Sequence, residues 1–235
     1  NIGGNPPLLS NAGTVRKSGG TGTSTLQVVV NNDGSLLAQS GTVNLNKGGD
    51  SHGSFNASAG ATLNFGGNGT MTLETNSTVS GAGTIGFSGG TVDVNGGYAV
   101  TGSTVINVGT ANFNGSASTK DGTLSEGNLS GSGTLTVSGT MNWTGGTMAG
   151  TGATTIASGG SLVTSGVNDK GFSQRTINNA GTLSWSGTGN LNSGNGATIN
   201  NQAGGVFDLQ SDQTWAFNIG GNPPLLSNAG TVRKS

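Results

Sequence analysis

Residues able to do acid–base or metal chemistry are few in this sequence. It holds one histidine, nine acidic residues, eight Lys and Arg, and no cysteine. His52 follows Asp50 and Ser51, which together supply the three side-chain types of a nucleophilic triad. A triad needs the base between nucleophile and orienting acid, a geometry that neighbours on one short loop reach poorly. The segment therefore reads as a polar insertion in a turn. Lys120-Asp121, Asp169-Lys170 and Arg175 fall in longer connections. They read as solvated turn charges, worth little as ion pairs. Glycoside hydrolysis needs two carboxylates at a set separation. Here Asp33, Asp50, Glu74, Asp93, Asp121, Glu126, Asp169, Asp208 and Asp212 are scattered over different phases of the pattern described below. Without cysteine there is neither a thiolate metal site nor a disulfide framework. Gly89-Gly90-Thr91-Val92-Asp93 lacks the third glycine of the calcium-binding solenoid nonapeptide, so calcium is not expected. No catalytic, cofactor-binding or metal-binding residue is assigned, and the expectation is a non-enzymatic protein.

Binding surfaces are equally sparse. A net charge of -1 offers no basic footprint for nucleic acid. No apolar run approaches the ~18 residues of a membrane span. Thr-x-Thr pairs at Thr21/Thr23, Thr70/Thr72 and Thr134/Thr136 would bind ice only as a regular array on one flat face, and their phases differ. Asn-x-Ser/Thr sites begin at Asn56, Asn68, Asn76, Asn114, Asn128 and Asn142, a number that a chain so rich in these residues gives by composition. Trp143, Trp185 and Trp215 fall on inward phases of their strands, so they read as core and not as a sugar platform.

The elements that position these residues follow from repetition. Residues 1–18, NIGGNPPLLSNAGTVRKS, recur letter for letter as residues 218–235, an offset of 217 that carries all four prolines. A tandem array or a duplicated end would each produce this. Both copies break off mid-pattern at Ser18 and Ser235, which favours the array: residues 1–217 form one unit and 218–235 begin the next.

A shorter period lies inside the unit. Leu9-Ser-Asn-Ala-Gly-Thr-Val15 matches segments ending at Leu36, Ile85, Leu135, Leu162 and Leu183, and less closely those ending at Leu63, Ala111 and Phe207. Nine copies in 217 residues give a mean spacing of about 24. In each, an apolar residue ends one strand and a corner follows. Asn or Gly usually stands two residues on, tolerating a left-handed corner. An apolar residue then starts the next strand. Leu63-Asn-Phe65, Ile85-Gly-Phe87 and Ala111-Asn-Phe113 alternate with the period of two that marks a half-buried strand. No stretch keeps a helical period. Corners this far apart suit a coil of three strands per turn better than hairpins, which reverse every 8–12 residues. The fold expected is all-β, a parallel β-helix (β-solenoid) of nine turns per unit. Phe65, Phe87 and Phe113 are expected in one stacked interior column, with corner ladders built on Asn31 or Asn32, Asn56, Asn107, Asn178 or Asn179, and Asn200 or Asn201.

The corners Ile177-Asn-Asn-Ala-Gly-Thr-Leu183, Ile199-Asn-Asn-Gln-Ala-Gly-Gly-Val-Phe207 and Leu9-Ser-Asn-Ala-Gly-Thr-Val15 resemble those of secreted bacterial β-solenoid surface proteins: filamentous-haemagglutinin-like adhesins, autotransporter passengers and giant tandem-repeat fibres. The resemblance implies export to the cell surface or beyond, and a scaffold, matrix or adhesive role. It supplies no catalytic residue. Expected partners are adjacent repeats end to end, lateral filament neighbours or surface glycans. The alternatives are an adhesin stalk and a carbohydrate-active solenoid enzyme.

Overall fold

The computed structural model describes Gly4 and residues 6–235. Asn1, Ile2, Gly3 and Asn5 of the first repeat copy lie outside the described residues, so the two copies are compared from Leu8 onward. The described residues contain strands and no helix, and every strand pairing is parallel. Three strands make one turn of a coil. Leu8–Asn11, Thr14–Lys17 and Thr23–Leu26 form the first turn; Val29–Asn32, Ser35–Ala38 and Thr42–Leu45 stack on them as the second. The strands of each turn thus open three faces, called first, second and third in that order. Eleven turns run to Trp215–Gly220, Leu225–Asn228 and Thr231–Lys234. The protein is a parallel β-solenoid.

The turn is shorter than the corner motif implied. Thr14 and Leu225 occupy the same position of the second face ten turns apart, which is about 21 residues per turn. The corner motif marks all three corners. Val15 and Leu36 lie in second-face strands, Leu63 and Ile85 in third-face strands, and Ala111 in a first-face strand. Each change of face hides one third of a turn inside an apparent repeat. Nine motif spacings therefore cover ten turns and one third.

Most strands bury alternate residues, and these form the core. Phe65 and Phe87 stack on the third face with centroids 5.7 Å apart. Phe113 meets Phe87 edge-on at 5.9 Å, so the three rings touch in series. Phe113 reaches that contact from the first face, across the interior, and so does not share the column expected for it. Tyr98 fits between Phe87 and Phe113 at 6.3 and 5.0 Å. Its hydroxyl begins a buried chain through Thr104 at 2.7 Å and Thr119 at 2.9 Å to the Asp121 carbonyl at 2.8 Å. This chain satisfies the polar atoms where the inward column carries Thr104 and Gly122 in place of an apolar residue.

Corners depart from expectation in one respect. Gly81 and Gly131 do have positive φ (126° and 97°), but Asn11, Asn32, Asn179 and Asn201 at the same motif position do not. Those asparagines turn inward and bind the next corner instead. The glycine immediately before the strand serves close approach: a Cβ on Gly133 would collide with the backbone of Gly115 one turn below. Stacked corners leave no room for a side chain there.

Candidate functional site

The sequence candidates for chemistry are dispersed. The His52 ring stands 3.1 Å from an Asp33 carboxylate oxygen on the preceding turn, and both side chains are more than half exposed. Ser51 points the other way. It is wholly buried, and its Oγ accepts the Asn32 backbone N–H at 3.0 Å, so Ser51 and His52 form no dyad. Register places Asp50 and Asp93 in one outward column of the first face with Thr72 between them. Asp93 is used there as the acceptor for Asn112 at 2.7 Å. No group of three or more His, Cys, Asp or Glu side chains able to hold a metal occurs among the described residues. Thr70/Thr72 and Thr134/Thr136 lie on different faces. An outward file of Thr23, Thr42, Thr62 and Thr84 does run up the third face, and Thr70, Thr91 and Thr110 form a shorter one on the first. Strand spacings that vary by a few residues hid these files in the sequence.

Two charges read as solvated turn groups prove buried. Lys170 and Arg175 expose no surface. Arg175 donates from Nε to Thr154 Oγ1 at 2.9 Å, and from its two Nη atoms to the carbonyls of Ala149 at 3.1 Å and Ala153 at 2.7 Å. Loss of water pushes its pKa down to about 10. Lys170 donates to the Asn168 carbonyl at 2.7 Å, and burial likewise lowers its pKa, opposed by neighbouring Asp169. Both side chains act as staples, satisfying corner carbonyls from inside. Lys120 and Asp121, 3.8 Å apart, are solvated as expected. Trp143 and Trp185 are buried on inward phases, and the half-buried Trp215 donates to Ser193 at 2.7 Å. Five of the six Asn-x-Ser/Thr asparagines are exposed, and Asn56 is half-buried against Ser80.

A densely built polar site lies where residues 218–235 join the body. Leu225–Asn228 stacks on Thr198–Asn201, and Thr231–Lys234 on Val206–Leu209. Asn179 donates to Asn201 at 2.8 Å and Asn201 to Asn228 at 2.7 Å, a ladder three turns long. Asn201 also donates to the Thr231 carbonyl at 3.0 Å. Outside it, Asn200 donates to Asn178 at 3.2 Å. Asp208 accepts from Arg233 at 2.8 Å, Ser235 at 2.8 Å and Gln210 at 3.0 Å. The Arg233 and Ser235 hydrogen bonds lead in holding its carboxyl down to about 2. Sequence spacing indicated the Asn ladder. The Asp208–Arg233 pair lies one motif spacing apart, directly after the register partners Phe207 and Val232, so the same spacing could have found it.

No helix among the described residues is long and apolar enough to cross a membrane. No protein-family model matches this chain, and neither a curated protein nor a solved structure matches it.

Proposed function

We propose that the chain is a structural repeat of a covalent, stiff, extracellular β-solenoid filament with a scaffold, matrix or adhesive role. One observation carries this reading. The second copy of the 18-residue segment does not fold back or hang free; it stacks strand for strand on the preceding turn, with its own hydrogen-bonded asparagine and ion pair. A coil that runs through the repeat boundary in this way is what a tandem array needs to form one rod. In a solenoid each turn contacts only its neighbours, so stability grows with length. The corner resemblance to secreted bacterial surface proteins supports the location. The adhesin-stalk reading shares this rod and places recognition on another part of the parent chain. The test is electron microscopy of chains with one, two and three units. At about 4.8 Å per turn, each unit adds roughly 50 Å at constant width. Beads on a string, or a width that grows with unit number, would contradict the reading.

A further inference from the structure

The two copies of the repeated segment make the same local structure on different faces. In the first copy, Leu8–Asn11 lies on the first face and Thr14–Lys17 on the second. In the second copy, Leu225–Asn228 lies on the second face and Thr231–Lys234 on the third. The unit of 217 residues thus spans ten turns and one third. We propose that each successive unit enters the coil one face further round, so that a given residue returns to its starting face only after three units and thirty-one turns. This rests on the tandem-array reading above and adds its geometry.

The chain itself indicates what covers the open edge of the second copy. In the first copy the next turn pairs Leu9 with Val30, Asn11 with Asn32 and Val15 with Leu36. Asn11 accepts the Gly13 N–H at 3.1 Å and donates to Asn32 Oδ1 at 2.6 Å and the Ser35 carbonyl at 3.2 Å. Asn228 holds the same corner, accepting the Gly230 N–H at 3.2 Å, and its amide nitrogen makes only a long contact of 3.4 Å to the Gly230 carbonyl. The donor that Asn11 spends on the following turn therefore faces the open edge in Asn228. Phe217 and Val232 stand 52% and 37% exposed at this end, apolar residues awaiting cover. The fitting occupant is the segment corresponding to Val29–Ala38 of the following unit, placed on the second and third faces. The ladder Asn179–Asn201–Asn228 would then continue to the counterpart of Asn32, crossing the boundary without a break. As a consequence, outward groups such as the His52–Asp33 pair, which sits between the first and second faces, appear at all three corners in rotation. A filament so built presents the same lateral chemistry all round its axis.

The test uses this chain extended by one further 217-residue unit. The chain has no cysteine, so introduced pairs report cleanly. Paired Cα atoms about 4.8 Å apart on stacked strands lie within disulfide range. One variant carries Ser227→Cys with Asn31→Cys made in the following unit. A second carries Ala216→Cys with the same following-unit change. The expected result is an oxidised, faster-migrating band on a denaturing gel for the Ser227 variant only. Cross-linking of the Ala216 variant instead would mean that the following unit keeps the first face, and would overturn the rotation while leaving the continuous rod intact. Cross-linking of neither, in a chain whose far-ultraviolet spectrum remains that of β-structure, would sink both this inference and the array it rests on.

Discussion

Eighteen identical residues occupy two settings in this molecule. The first copy is covered by the turn that follows it, and the second by the turn that precedes it. Strand bounds and corner are the same in both: Leu8–Asn11 and Leu225–Asn228, then Thr14–Lys17 and Thr231–Lys234. Their partners differ. Arg16 stacks over Leu37, whereas Arg233 stacks over Asp208 and pairs with it. The segment's own sequence thus dictates strand, corner and strand. Which face it joins is decided by how many residues lie between, since 217 is not a whole number of turns. This separation of local from positional information is what a quasi-one-dimensional fold permits.

The largest way to break the comparison is to cut the core between the copies. Phe87→Ala removes a fully buried ring that touches Phe65, Tyr98 and Phe113, and should cost about 3–5 kcal/mol in urea unfolding. Hydrogen exchange should accelerate near turns three to six and leave the Asn201–Asn228 contact protected. Uniform acceleration along the whole chain would contradict nearest-neighbour stability.

Asn201→Leu sharpens the contrast. It takes the acceptor of one amide hydrogen from buried Asn179 and the donor from the Thr231 carbonyl, and should cost about 2–3 kcal/mol. Amides of residues 225–234 should lose protection, while those of residues 8–17 keep theirs. Equal loss at both copies would show that the segments are coupled through the body.

The smallest effect is one of pH. Asp208 is held to about 2 in the folded chain, below the ordinary 3.8. A carboxyl with a depressed folded value contributes stability that is present above about 4 and lost as pH falls toward 2. The second copy should therefore loosen in that window and the first should not, because Arg16 has no carboxylate at the matching site. Asp208→Asn should abolish the difference. Amide exchange of residues 231–235 at pH 5 and pH 2.5 measures it.

Much of the architecture was legible from the sequence. Alternation in Leu63-Asn-Phe65 and Ile85-Gly-Phe87 gave strands, and the recurring corners gave a coil. Turn length was not legible, because one corner chemistry serves three corners that are equivalent as turns. The same ambiguity aligns Phe113 with Phe65 and Phe87 in sequence although it lies on the first face. Arg175 and Lys170 looked like surface charges because composition does not reveal that corner carbonyls need donors from inside. The Asn ladders follow from residue type only in part: Asn32, Asn178, Asn179, Asn200 and Asn201 pair with other asparagines, whereas Asn56 bonds Ser80 and Asn107 joins no ladder. Asn32 and Asn201 were expected for left-handed backbone and are instead needed for their amides.

The central claim, that the two identical segments lie on different faces of one continuous coil, can be tested in this chain alone. Asn200 and Ser227 are register partners on the second face, whereas Asn192 lies on the first. With Ser227→Cys combined in turn with Asn200→Cys and Asn192→Cys, oxidation should close the Asn200 pair and leave the Asn192 pair open. Closure of the Asn192 pair would return the second copy to the face of the first and contradict the account.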